Sequence, residues 1–152
     1  MAKTPDAPLA DSETARLVGT WELVTMSWTY PDGRRIEPWG NPVGRISYDG
    51  GGNVVALLMH EHRNQAGGNV GHPDTVASYS AYFGTYRVDP SEGVIRHQVL
   101  GSLNAENASG ELQRSYAFED DMLILGFTAM REGVPVRRRL VWKRLSGPTL
   151  SQ

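Results

Sequence analysis

His97, Arg114 and the tyrosines at 82, 86 and 116 are the side chains whose types could handle a small polar group. An imidazole can take or give a proton near neutral pH, a phenol can do either, and a guanidinium steadies fixed or developing negative charge. The same set, moving no proton, would anchor the polar end of a bound molecule. His60-Glu61-His62 is the one metal-like constellation, because residues two apart on a strand project from one face. A stable site needs a third ligand, and only His72 is near, so this segment reads as a solvated loop edge and no metal is expected.

The chain holds no Gly-x-Ser-x-Gly, no phosphate-cradling loop, no dinucleotide fingerprint and no cysteine. Nucleophilic hydrolysis and cofactor-driven redox chemistry therefore lack support, and no cofactor is expected. A formal net charge of -2 argues against a nucleic-acid partner. No window approaches the roughly 18 consecutive apolar residues of a membrane span. Residues 1–15 lack the apolar stretch of a signal peptide and read as a disordered leader, so with no disulfide framework the expected location is cytoplasmic.

The elements that must position these side chains are strands. With 17 glycines and 9 prolines falling between short runs rich in Val, Tyr, Trp, Thr and Leu, the chain is punctuated as an all-β protein. Asp11-Ser12-Glu13-Thr14 caps a short helical turn leading into a first strand over 17–30. Strands at 45–49 and 53–60 form a hairpin across Gly50-Gly51-Gly52. The stretch 61–73 is a long loop that could serve as a lid. A short helix capped by Asp74 is expected over 74–82, followed by strands at 83–89, 94–100, 113–118, 122–128 and 134–145. This is about eight antiparallel strands in hairpin order, the number at which a closed up-and-down barrel has room for one small ligand. One domain over 16–146 accommodates them, with 147–152 as a flexible tail.

Alternation along each strand predicts which side chains face in. The more apolar set on 83–89 contains Tyr86, placing Arg87 outside. On 94–100 it is Ile95, His97 and Val99, and on 113–118 it is Arg114, Tyr116 and Phe118. An inward Arg114 needs an anion or water, or else emerges at the rim with its stem buried. His97 among apolar neighbours is either a hydrogen-bonded structural residue or a ligand contact. Trp28 and Trp39 could roof the open end or plug the core. The basic run Arg137-Arg138-Arg139 divides between the two faces and reads as part of a solvated outer surface.

Five stretches carry a likeness: Leu17-Val18-Gly19-Thr20-Trp21-Glu22-Leu23-Val24, Val43-Gly44-Arg45-Ile46-Ser47-Tyr48, Ala81-Tyr82-Phe83-Gly84-Thr85-Tyr86-Arg87-Val88-Asp89, His97-Gln98-Val99-Leu100-Gly101-Ser102-Leu103 and Arg139-Leu140-Val141-Trp142-Lys143-Arg144. Together they resemble the lipocalin-like domain family among the calycins. The resemblance implies a cup-shaped barrel holding an apolar or amphipathic small molecule. It also implies that Trp21 lies across the closed end, covered by a basic residue of the last strand, Arg139 or Arg144.

Two functions fit the cup. In one, the barrel binds a polyketide-, terpenoid- or lipid-like metabolite, with Trp28, Trp39, Tyr82, Tyr86, His97, Arg114 and Tyr116 as contacts. In the other, the same cavity houses a cofactor-free cyclase, isomerase or dehydratase in which His97, Tyr86 and Arg114 supply acid/base and electrostatic help. A third reading is a packed barrel serving as an interaction module, as a homodimer through an edge.

Overall fold

A computed structural model describes residues 7–61, 79–104 and 110–146. A helix, α1 (Ala7–Leu17), precedes nine strands: β1 (Gly19–Thr29), β2 (Arg35–Ile36), β3 (Val43–Tyr48), β4 (Asn53–Met59), β5 (Tyr79–Asp89), β6 (Val94–Ser102), β7 (Gly110–Glu119), β8 (Met122–Arg131) and β9 (Val134–Ser146). Sequential antiparallel pairing from β3 to β9, with β1 joining β3 on one edge and β9 on the other, closes an eight-stranded barrel. The two-residue β2 adds only to the far end of β1. No helix among the described residues is long and apolar enough to cross a membrane.

Two differences from the sequence reading concern helix. Where a leader with a single helical turn was expected, α1 runs from Ala7, with Pro8 in the first turn where its missing N–H leaves no bond unmade. Tyr79 to Tyr82, expected to end a helix, instead open β5, because pairing with Ala56 to Met59 outweighs the local capping signal. Residues 74–78 lie outside the described residues, as do all but Glu61 of the expected lid loop.

Strand β1 solves a parity problem. Trp21 and Trp28 are seven residues apart, which on a regular strand would put them on opposite faces, yet both are buried. Against β9, Leu23 pairs with Trp142 and Thr25 with Val141, leaving Val24 as a bulged residue. The extra residue switches the inward set from Trp21 and Leu23 to Met26 and Trp28. A further irregularity lies between β5 and β6, where Gly84 fits only because it lacks a side chain: a Cβ there would overlap the Gln98 carbonyl. Turns at the ends obey ordinary chemistry. The β8–β9 loop, Glu132-Gly133, has positive φ at both positions, 51° and 78°, as a two-residue hairpin of matching twist requires.

Helix α1 plugs one end. Its Leu17 is fully buried, the Trp21 indole N–H donates to the Leu17 carbonyl at 2.9 Å, and Arg16 lies over the Phe118 ring. Arg144 stacks on Trp21 with its guanidinium 4.2 Å from the ring centroid and donates to the carbonyls of Val18, at 3.0 Å, and of Arg16. These two side chains thus take up carbonyls that the end of α1 would otherwise leave unmatched. Arg139, the other candidate for this role, is exposed on the outer face, because it is offset by one residue from the inward set Arg138, Leu140, Trp142 and Arg144.

Candidate functional site

Strand directions place Trp28, Tyr82, Arg114, Arg131 and Arg138 toward the end opposite α1. A cavity of about 630 Å³ lies there. Its wall is apolar at Met26, Ile46, Ala56, Leu58, Leu125, Leu140 and Trp142, with Trp39 and Phe127 also against it. The polar wall comes from Tyr79, Ser80, Tyr82, Asn104, Thr128 and the three arginines, 114, 131 and 138.

At the inner side of Tyr82 sits a tyrosine–histidine–tyrosine chain. His97 is fully buried; its Nε2 is 2.8 Å from the Tyr48 hydroxyl and its Nδ1 is 2.7 Å from the Tyr82 hydroxyl. Burial, and then the nearby Arg114 charge, lower the His97 pKa to about 3, so the ring is neutral at physiological pH. Burial raises both tyrosines, Tyr48 well above the usual phenol value, while Arg114 partly opposes the rise. The Arg114 guanidinium is itself lowered by burial and supported by Tyr82 and Tyr48. It stacks on Phe127, 3.8 Å from the ring centroid, and gives one N–H to the Gln113 carbonyl at 3.3 Å.

Not every residue expected to contact a ligand reaches the cavity. Trp28, Trp39, Tyr82 and Arg114 line it. Tyr86 faces inward as expected but lies deeper, edge-on to Tyr48, and its hydroxyl donates to the Asp49 carbonyl at 2.7 Å. Burial pushes that phenol to about 12. Tyr116 is at the plugged end, where it donates to Glu13 of α1 at 3.1 Å. His97 stands behind Tyr82 rather than on the cavity wall. Tyr86, Tyr116 and His97 therefore do not line the cavity.

Two groups were missed. Tyr48 comes from β3, 49 positions from His97, and only its inward parity on the β3–β4 hairpin could have pointed to it. Arg138, assigned to a solvated face, shares its parity with Leu140 and Trp142 and lies over Trp28 at 4.3 Å. His60 is buried, whereas His62 and His72 lie outside the described residues.

A closed up-and-down barrel with one plugged end and a side-chain-lined cup defines a fold of the kind that binds small molecules. The chain belongs to the lipocalin-like domain family, whose profile matches residues 18–145. No curated protein matches it.

Proposed function

We propose that the protein binds one apolar or amphipathic small molecule, of polyketide-, terpenoid- or lipid-like character, in the cavity between Trp28, Trp39 and Arg114. The observation that carries this reading is the 630 Å³ space, whose wall combines aliphatic and aromatic side chains with polar groups contributed by β5, β7, β8 and β9. Binding is favoured over acid/base catalysis by His97. That ring is sealed from the cavity by Tyr82 and is held neutral with its pKa near 3, a poor base at neutral pH. A cofactor-free isomerase or cyclase would have to act through Tyr82 and Arg114.

The neutral dye N-phenyl-1-naphthylamine, which brightens in apolar surroundings, tests the reading. Saturable binding near one dye per chain is expected, together with its loss in Ala56→Phe, which fills the floor of the cavity. Wild-type protein without saturable binding, or an Ala56→Phe variant that folds and binds as before, would place the ligand elsewhere.

A further inference from the structure

The buried side-chain polar atoms that the cavity wall leaves unmatched among the described residues are all donors. Trp28 Nε1, Trp142 Nε1 and Arg138 Nε are buried with no hydrogen-bond partner, and all three side chains line the cavity. Around them stand three guanidiniums, Arg114, Arg131 and Arg138, while no Asp or Glu lines the cavity among the described residues. Apart from the bond of Arg114 to the Gln113 carbonyl, which carries no charge, they lie over aromatic faces: Phe127 for Arg114, and Trp28 for both Arg131 and Arg138. Ring faces attract a cation but do not neutralise it. Uncompensated positive charge in a partly desolvated site favours an anion.

The buried chain behind Tyr82 adds direction. Tyr48 is 1 % exposed, and the hydrogen of its hydroxyl has one acceptor within reach among the described residues, His97 Nε2. A neutral imidazole accepts at one nitrogen only, so the hydrogen of the ring is on Nδ1 and is given to the Tyr82 oxygen. The Tyr82 hydroxyl, having accepted from the ring, keeps its own hydrogen for another partner. Beside it is Arg114, which cannot accept one. That hydrogen is available to a ligand in the cavity that Tyr82 lines.

Resting on the cavity-binding reading above, we infer that the ligand is an amphipathic carboxylate, its head held by the Tyr82 hydroxyl and the Arg114 guanidinium and its tail along Met26, Leu58 and Leu140. A carboxylate offers only acceptors and carries the missing negative charge. A neutral alcohol of the same chain length supplies no charge and brings a donor of its own.

Dodecanoate and dodecanol, each displacing N-phenyl-1-naphthylamine from the full chain at neutral pH and low salt, make the matched pair. Wild type is expected to prefer the acid by about tenfold or more, as a charge-assisted bond to a sheltered guanidinium implies. Arg114→Met, which keeps the stem, should bring the two within roughly twofold. Tyr82→Phe should weaken the acid more than the alcohol, because the bond it removes is charge-assisted only with the acid. Equal affinities in wild type, or a preference that survives Arg114→Met, overturn the inference while leaving cavity binding intact. Absence of any dye binding defeats the cavity reading instead. The proton position has its own readout: the ¹⁵N shifts of His97 should show Nδ1 protonated and Nε2 bare, and the opposite tautomer would remove Tyr82 as the donor.

Discussion

Arg144 of β9 lies over Trp21 of β1, 4.2 Å from the ring centroid, and both side chains bond carbonyls at the end of α1. One stack therefore joins the first strand, the last strand and the helix that plugs the barrel. Trp21→Ala removes a side chain that is 1 % exposed, and the expected loss is about 3–5 kcal/mol. Urea denaturation monitored by far-ultraviolet circular dichroism checks it; a loss below about 1 kcal/mol would contradict a closing role.

The two arginines once equivalent as closing residues should separate cleanly. Arg144→Met is expected to cost about 1–2 kcal/mol, since it leaves carbonyls of α1 unmatched and uncovers Trp21. Arg139→Met, on the exposed face, should stay within about 0.5 kcal/mol of wild type. Paired denaturation midpoints decide the matter, and equal losses would contradict the assignment.

Tyrosines inside the barrel but outside the cavity should affect stability and not binding. Tyr86→Phe loses a bond to the Asp49 carbonyl and is expected to cost about 1 kcal/mol, with dye affinity unchanged. A large drop in dye affinity with the fold intact would mean that the cavity extends past Tyr48 to reach Tyr86.

Acid should destabilise the barrel through His97. Its folded pKa, lowered to about 3 by burial and then by Arg114, lies below the ordinary value of 6.5. The unfolded chain therefore binds the proton first as pH falls. Stability from this group is complete above about pH 6.5 and is lost progressively down to about pH 3, by up to about 3–5 kcal/mol. Tyr48, Tyr82 and Arg114 are the groups around the ring, and none of them changes charge in that window. Denaturation midpoints compared across pH 7 to 4 should fall more steeply in wild type than in His97→Gln; parallel slopes would show that the histidine is not buried neutral.

Alternation was enough to place Tyr86 and His97 inside and to put Arg114 on the inward set, because β5, β6 and β7 are regular where those residues sit. It could not say how deep each lies, for parity names a face and not a height along the barrel axis. That is why Tyr86 and Tyr116 were grouped with Tyr82, although they sit toward the plugged end. The bulge at Val24 was invisible for a related reason: it exists in the register between β1 and β9, two segments at opposite ends of the chain. Arg138 was hidden by its neighbours, since a run of three arginines reads as surface until the one sharing the parity of Leu140 and Trp142 is separated out. The first strand of the hairpin was located, but the role of Tyr48 depends on a histidine 49 positions away.

Closure of the barrel has a kinetic side. The bond from Arg144 to Val18 spans 126 positions, and the whole β1–β9 seam is comparably distant in sequence. Each hairpin from β3 to β9 can form from neighbours, whereas the seam must wait for the last strand. During synthesis β1 therefore keeps one edge open until β9 has emerged. The slowest step of folding should be the docking of that final strand together with the helix it secures, and a chain halted before it would expose a strand edge able to pair with another chain.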